Sequence, residues 1–163
     1  MSATLLDGTA TAKKIRAEIA LAVKRLTEAT GVVPALAAIL AGDDPASQTY
    51  VSMKERASAR AGMASQTFPF SNTASQSEVA DCLARLNADP SVHGILIQHP
   101  LPKHMNEPAV LSQLAPGKDV DGIAPISLAH LVAGMAGYHS CTPAGMIELM
   151  KRYARWQLAW LKS

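Results

Sequence analysis

Apolar positions recur along the chain with two alternating spacings, one typical of helices and one typical of buried strands. Residues 9–30 follow the helical spacing, and the glycine after them is a stop signal. Residues 33–40 form an unbroken apolar run, which is typical of a strand buried on both faces of a parallel sheet. Asp44 and Pro45 then provide the cap and first residue of a helix that we expect to end near Ala61.

The same alternation continues through the rest of the chain. Ser75 and Glu78 have the spacing of a capping box, and an apolar helical face follows them. Two further strands are predicted over residues 65–70 and 92–98. Three further helices are predicted, over residues 107–114, over residues 127–135 and from Thr142 onward.

Strands that alternate with helices predict βαβ units with right-handed crossovers. We therefore expect an α/β fold, a single domain of three αβα layers with a mainly parallel sheet over residues 1–153. Residues 154–163 form an atypical C-terminal tail with two tryptophans, which we expect to pack on the domain or on a partner chain. Ligands of such folds bind beyond the carboxyl ends of the strands. The segments at that edge are 42–50, 98–102 and 118–122.

Two chemically versatile side chains lie four residues apart on the helix that leaves the first predicted strand. Tyr50 and Lys54 share a face at that spacing. A tyrosine ring stacks on a flat ring system and keeps its hydroxyl for hydrogen bonding. A partly desolvated lysine beside it is suited to proton transfer. The alternative is a half-buried tyrosine next to a solvated lysine.

Polar side chains also follow the third predicted strand and the turn after it. Gln98 ends an apolar strand, where its amide either binds a ligand or simply reaches solvent. Asp119 and Asp121 flank Val120, so in an extended segment their side chains point to opposite sides. One carboxylate would then face the cleft while the other binds the local backbone. The alternative is an Asp-rich turn without a ligand.

Composition narrows the class of protein. Hydrophobic residues make up 48% of the 163 residues, which favours a folded globular chain over a disordered one. A net charge of +2 without a basic run indicates no nucleic-acid partner. No apolar stretch is long enough to span a membrane, and two lone cysteines suit a reducing compartment, so we expect a cytoplasmic location. The histidines show no metal-ligand spacing, so we predict no metal.

Five motifs occur in the order and at spacings like those of one known family. The sequence resembles the bifunctional methylenetetrahydrofolate dehydrogenase/methenyltetrahydrofolate cyclohydrolase family over about residues 4–153. Any one motif would be weak, but five in order are strong evidence of common descent. The motifs are Asp44-Pro45-Ala46-Ser47, Tyr50-Val51-Ser52-Met53-Lys54, Gly94-Ile95-Leu96-Ile97-Gln98-His99-Pro100-Leu101-Pro102, Lys118-Asp119-Val120-Asp121-Gly122 and Cys141-Thr142-Pro143-Ala144-Gly145.

The resemblance implies roles for particular residues. Lys54 would be the main catalytic residue, with Tyr50 stacked on the aromatic part of the folate and Gln98 assisting. Asp121 would bind the amino-pyrimidine end of the pterin. The remaining substrate-binding positions would lie on both sides of the cleft, where backbone and side chains line the pocket: Val51, Ser52, Met53, Ile97 and His99.

The sequence also departs from the family. The family binds NADP through a second half, and no Gly-rich phosphate turn occurs in this chain. His99 stands where the family usually has Leu, and Ser127 where it usually has Asn. We therefore expect a chain truncated before the NADP domain, with no cofactor of its own. A homodimer is implied by the family, although there it depends largely on the second half.

Three hypotheses about function follow. The first is an enzyme of one-carbon folate metabolism that has kept methenyltetrahydrofolate hydrolysis and lost the dehydrogenase step. The second is a non-catalytic folate-binding or interaction module left by truncation. The third is a decayed fragment that folds but does neither, although the intact set of Tyr50, Lys54, Gln98 and Asp121 argues against full decay.

Overall fold

A computed structural model describes residues 5–153, and the tail predicted over 154–163 lies outside the described residues. The elements alternate as the apolar spacings predict. In chain order they are α1 (Gly8–Thr30), β1 (Ala35–Ala41), α2 (Pro45–Arg60), β2 (Ala64–Phe70), α3 (Gln76–Ala88), β3 (Gly94–Ile97), α4 (Glu107–Leu111), α5 (Pro125–Val132) and α6 (Cys141–Tyr153).

The three strands form a parallel sheet in the order β2-β1-β3. A short segment continues the sheet beyond β3, because the backbone N–H of Ile95 donates to the carbonyl of Lys118 and Ile95 pairs with Asp119. Gly94 permits this close approach, since a Cβ at that position would lie 2.5 Å from a methyl group of Val120. The carboxyl ends of β1 and β3 therefore lie next to the segment that carries the two aspartates.

The central strand β1 is buried on both faces, as its unbroken apolar run predicts. Ala37, Ile39 and Ala41 point to one face, where they join a core with side chains of α3 and α4. Ala38 and Leu40 point to the other face and form a second cluster that includes a side chain of α2. The three-layer α/β fold is confirmed for the described residues.

Helix starts follow the predicted capping chemistry. The carboxylate of Asp44 accepts the backbone N–H of Ser47 at 2.8 Å, with Pro45 in the first turn of α2. Ser75 and Glu78 form both halves of the capping box at the start of α3. A cap of this kind stabilises the start of the helix, because it satisfies backbone donors that have no partner within the helix.

Several boundaries differ from those predicted. β3 covers only Gly94–Ile97, shorter at both ends than the predicted strand over 92–98. α4 ends at Leu111, three residues before the predicted end. α5 begins at Pro125 and ends at Val132, because proline is accepted in the first turn of a helix and Gly134 then adopts a left-handed backbone with φ of 66°.

The ends of the described chain lie together. Arg152 of α6 donates to both carboxylate oxygens of Glu18 in α1, at 2.8 and 2.6 Å, and the hydroxyl of Tyr153 donates to the carbonyl of Asp7. These contacts connect the first and last helices on one side of the sheet. Within residues 5–153, none of the helices combines the length and the apolar character that a membrane span requires.

Candidate functional site

Helix α2 places Tyr50 and Lys54 at the carboxyl edge of the sheet. The helix begins directly after the turn that follows β1, because Asp44 caps it there. Hydrogen bonds from the side chain and the backbone of Ser47 hold the pKa of Asp44 below its ordinary value, so the cap is a carboxylate at neutral pH. Tyr50 is 58% exposed and Met53 55% exposed, which leaves an open aromatic and apolar surface beside Lys54.

Lys54 lies next to Asp121 in the structure. Lys54 Nζ is 3.6 Å from Asp121 Oδ2, and both side chains are only partly exposed. The two residues come from distant parts of the chain, and the sheet brings them together. An amine and a carboxylate thus face the same opening.

Asp119 turns the other way and is completely buried. One of its carboxylate oxygens accepts the backbone N–H of Gly122 at 3.0 Å, and the other accepts that of Ala124 at 2.8 Å. The prediction that one of the two carboxylates binds the local backbone is confirmed for Asp119, whereas a ligand role for Asp121 stays a prediction. Asp119 therefore holds the turn that positions Asp121.

The amide of Gln98 has a defined orientation. Its Nε2 donates to the carbonyl of His99 at 2.8 Å, and because a carbonyl only accepts, the nitrogen must face it. The other end of the amide, Oε1, is buried and has no hydrogen-bond partner among the described residues. A buried acceptor without a partner costs about 1–3 kcal/mol, which favours a role for Oε1 with a donor that binds there.

The other predicted binding residues divide into two groups. The side chains of Val51 and Ile97 are buried in the core, so only their backbone groups remain available to a ligand, and their place in a binding pocket stays a prediction. Ser52 and Met53 remain near the surface of α2, where the hydroxyl of Ser52 accepts from Arg56 at 3.0 Å.

His99 is half-buried in the loop after β3, where its Nδ1 lies 3.1 Å from a carboxylate oxygen of Glu107. Its Nε2 is buried and has no hydrogen-bond partner in the part of the chain that the structure describes.

Three residues at this edge were not singled out from the sequence as site residues. The buried Ser47 has its hydroxyl 3.5 Å from the carbonyl of His99, and Glu107 contacts the same loop. Cys141 lies 3.7 Å from a carboxylate oxygen of Asp121. Burial raises the pKa of the Cys141 thiol, and the Asp121 carboxylate raises it further, so the thiol is protonated at neutral pH. The contacts of Ser47 and Cys141 join distant segments, and those of Glu107 cross a bend between the loop and α4, so no local sequence pattern signals them.

A cavity of about 490 Å³ opens beside this edge, between the turn after β1 and the loop after β3. Its lining includes Gly42, Asp44 and His104 but not Tyr50, Lys54 or Asp121. The Lys54–Asp121 pair and the exposed ring of Tyr50 therefore form a candidate site outside this cavity.

Solved structures of several proteins share this fold. The chain superimposes on the bifunctional enzyme FolD, a methylenetetrahydrofolate dehydrogenase/cyclohydrolase from Campylobacter jejuni, with a TM-score of 0.89 and 41% identity, covering 92% of this chain and 53% of that one. It matches a Trypanosoma brucei methylenetetrahydrofolate dehydrogenase-cyclohydrolase, solved with NADP cofactor and inhibitor, with a TM-score of 0.86 and 31% identity, covering 93% of this chain and 52% of that one.

Sequence comparison leads to the same group of proteins. The chain is 45% identical over 149 residues to the bifunctional protein FolD of Streptococcus agalactiae, a match that covers 91% of this chain and 52% of the relative. The identity and coverage are the same for FolD of Streptococcus pyogenes. The chain therefore spans about half the length of the curated relatives that it matches.

The fold and the site define an α/β domain whose acid–base groups lie at the carboxyl edge of a parallel sheet. Residues 6–121 match the family described as tetrahydrofolate dehydrogenase/cyclohydrolase, catalytic domain. The chain belongs to this family of folate one-carbon metabolism, as the five motifs predict.

Proposed function

We propose that this chain binds a tetrahydrofolate derivative at the Lys54–Asp121 edge and hydrolyses its methenyl form. The observation that carries the proposal is the 3.6 Å approach of Lys54 Nζ to Asp121 Oδ2, beside the exposed ring of Tyr50. The assignment of Lys54, Tyr50 and Gln98 as catalytic residues is part of this proposal. It is supported by their convergence at one edge and by membership of the family.

Asp121 is suited to bind the amino-pyrimidine edge of a pterin. Two adjacent N–H donors on that edge match the two oxygens of a carboxylate, which gives paired charge-assisted hydrogen bonds. A ligand bound in this way takes over the carboxylate that now lies beside Lys54. The Lys54 amine is then released toward the reacting carbon, while Tyr50 stacks on the aromatic part of the folate.

Hydrolysis starts from the electrophilic carbon that joins two nitrogens in the methenyl cation. A water molecule adds its oxygen to this carbon and loses a proton. The hydroxyl that results then gives up its proton as its oxygen forms the carbonyl double bond, one carbon–nitrogen bond breaks and the departing nitrogen takes a proton, so that a formyl group remains on the other nitrogen. Lys54 moves protons in both steps, and the free Oε1 of Gln98 accepts a hydrogen bond from the Lys54 amine or from the attacking water.

The dehydrogenase step of the family needs NADP, and the described residues do not fit that cofactor. A dinucleotide diphosphate requires a glycine-rich turn and a free helix N-terminus after a strand. Here the carboxylate of Asp44 occupies the N-terminus of α2, and Ser75 with Glu78 occupies that of α3. We therefore propose hydrolysis without hydride transfer for this chain. Formation of NADPH from methylenetetrahydrofolate by this chain would overturn that part of the proposal.

The test is a folate titration that follows binding by calorimetry and hydrolysis by loss of the methenyl absorbance. Lys54→Ala is expected to retain binding and to lose turnover by about 10²–10⁴-fold, the usual contribution of a positioned acid or base. Lys24→Ala is the matched control, because Lys24 also lies near a carboxylate, 3.8 Å from Glu28, but on α1. The control is expected to match the wild type.

The outcomes separate the competing functions. If the wild type binds folate but leaves the methenyl absorbance unchanged at high protein concentration, the chain is a binding module and not a hydrolase. If it binds no folate at all, the whole proposal is wrong. Two further predictions, a homodimer and a cytoplasmic location, are tested by light scattering of the purified chain and by fractionation of cells.

A further inference from the structure

The orientation of the Gln98 amide depends on the peptide group of the next residue. Gln98 Nε2 donates to the carbonyl of His99 at 2.8 Å, and the hydroxyl of Ser47 lies 3.5 Å from the same carbonyl. The position of this carbonyl therefore determines where the opposite end of the amide, Oε1, points. Any group that holds the loop after β3 in place also holds Gln98 in its present orientation.

Glu107 holds this loop at two points. Its Oε1 lies 3.1 Å from His99 Nδ1, and its Oε2 accepts the backbone N–H of Leu101 at 2.7 Å. The two contacts lie on either side of Pro100, so one carboxylate spans the bend. Because each oxygen makes its own contact, loss of the carboxylate releases both points together.

We call this two-point contact of Glu107 with the loop after β3 the brace. The brace is itself attached to the packed part of the fold. Glu107 is the first residue of α4, whose Val110 and Leu111 are buried in the core. The backbone N–H of Asn106, the residue that caps α4, donates to the side chain of Gln76 at the start of α3. Glu107 therefore fixes the loop that carries Gln98 relative to α3 and α4.

We propose that Glu107 is a positioning residue for Gln98, acting through His99 and Leu101 without touching the substrate. This inference rests on the proposed hydrolysis, in which Gln98 presents Oε1 to Lys54 or to water. Misplacing a catalytic group by about 1 Å costs on the order of 10²-fold in rate. Loss of the brace is therefore expected to lower the rate of hydrolysis.

The test compares Glu107→Ala with Glu107→Gln. Glu107→Ala removes both contacts and is expected to lower kcat for hydrolysis by about tenfold to a hundredfold, with folate affinity within about threefold of the wild type. Glu107→Gln is expected to recover most of the rate. Its amide oxygen accepts from Leu101, and its amide nitrogen donates to His99 Nδ1 in the other tautomer of the imidazole.

Glu18→Ala is the matched control for loss of a carboxylate with two contacts. Glu18 accepts two hydrogen bonds from Arg152 on another side of the molecule. This variant is expected to lose thermal stability and to keep the wild-type kcat. If Glu107→Ala behaves in the same way, with lower stability and kcat within twofold of the wild type, Glu107 is merely structural and the inference is wrong. A Glu107→Gln variant as slow as Glu107→Ala would overturn it as well.

A second measurement does not depend on turnover. The side-chain amide of Gln98 gives a pair of ¹⁵N–¹H signals that can be assigned by their absence in Gln98→Ala. We expect Glu107→Ala to move this pair toward the position of a solvated glutamine, and Glu107→Gln and Glu18→Ala to leave it unchanged. If the Gln98 amide signals of Glu107→Ala stay at their wild-type positions, the proposed positioning role of Glu107 is wrong. If the wild type is inactive but the Gln98 amide signals shift as expected in Glu107→Ala, the proposed hydrolysis is wrong and the positioning role of Glu107 still holds.

Discussion

The two aspartates that flank Val120 allow one substitution to be tested in two opposite settings. Asp119→Asn and Asp121→Asn make the same chemical change two residues apart. Asp119 is completely buried and accepts two backbone N–H groups, whereas Asp121 is partly exposed and lies 3.6 Å from Lys54. We expect the first variant to lose stability and the second to lose function.

The magnitudes follow from these contacts. Each hydrogen bond to a buried charged group contributes about 1.5–3 kcal/mol, and an asparagine at position 119 keeps only one acceptor oxygen. Its amide nitrogen then faces a backbone N–H, so we expect a loss of about 2–4 kcal/mol in the free energy of unfolding. A partly exposed ion pair such as Lys54–Asp121 contributes about 0–1 kcal/mol. For a domain of this size, 1 kcal/mol corresponds to about 2–4 °C in Tm.

The assay is thermal unfolding followed by circular dichroism, with a urea titration and a folate titration on each variant. Asp119→Asn is expected to melt roughly 4–16 °C below the wild type, and Asp121→Asn within about 4 °C of it. Only Asp121→Asn should stay stable while losing folate affinity. The reasoning is refuted if Asp119→Asn melts with the wild type, or if Asp121→Asn binds folate as tightly as the wild type does.

Three further predictions concern the same edge and the helix caps. Gly122 has φ of +61°, and a Cβ there would lie 2.5 Å from the backbone before α6, so Gly122→Ala should lower Tm by several degrees. Gly145 has open space around it, so Gly145→Ala should not lower Tm. Equal melting temperatures of the two variants would contradict this prediction. Because the Asp121 carboxylate helps to raise the pKa of the Cys141 thiol, Asp121→Asn should speed alkylation of Cys141 by iodoacetamide, measured by mass spectrometry; slower alkylation would count against the contact. Hydrogen bonds within the capping box hold the pKa of Glu78 below its ordinary 4.5. The Glu78 carboxylate therefore stabilises the fold above pH 4.5, and this stabilisation is lost as the pH falls through the lower pKa of the folded state. In urea titrations from pH 6 to 3, the free energy of unfolding of Glu78→Gln should fall less than that of the wild type.

Much of the fold could be predicted because its determinants are local. The capping box of Ser75 and Glu78 and the cap by Asp44 act within four residues, so their spacing alone indicates where α3 and α2 begin. The unbroken apolar run predicts a strand buried on both faces, which β1 is. The shorter β3 could not be predicted, because a strand ends where its partners end, and those partners are set by long-range pairing.

The candidate site was predictable only in part, for a related reason. The opposed directions of Asp119 and Asp121 follow from the geometry of an extended segment, and the shared face of Tyr50 and Lys54 follows from helical spacing. The contact of Glu107 with the loop after β3 joins separate elements whose approach no local pattern signals. The burial of the Val51 side chain could not be read from its motif either, because it depends on the packing of α2 against the sheet.

The position of the Lys54–Asp121 pair depends on residues that take no part in the proposed chemistry. Gly94 has no Cβ, which lets Val120 approach β3, and this packing places the aspartate segment beside the sheet. Asp119 then closes the turn by accepting two backbone N–H groups. The reacting groups themselves are partly exposed and form a weak ion pair, so they add little to stability. The geometry of this edge therefore depends on buried positions, whereas the side chains that would meet the folate contribute little to holding it in place.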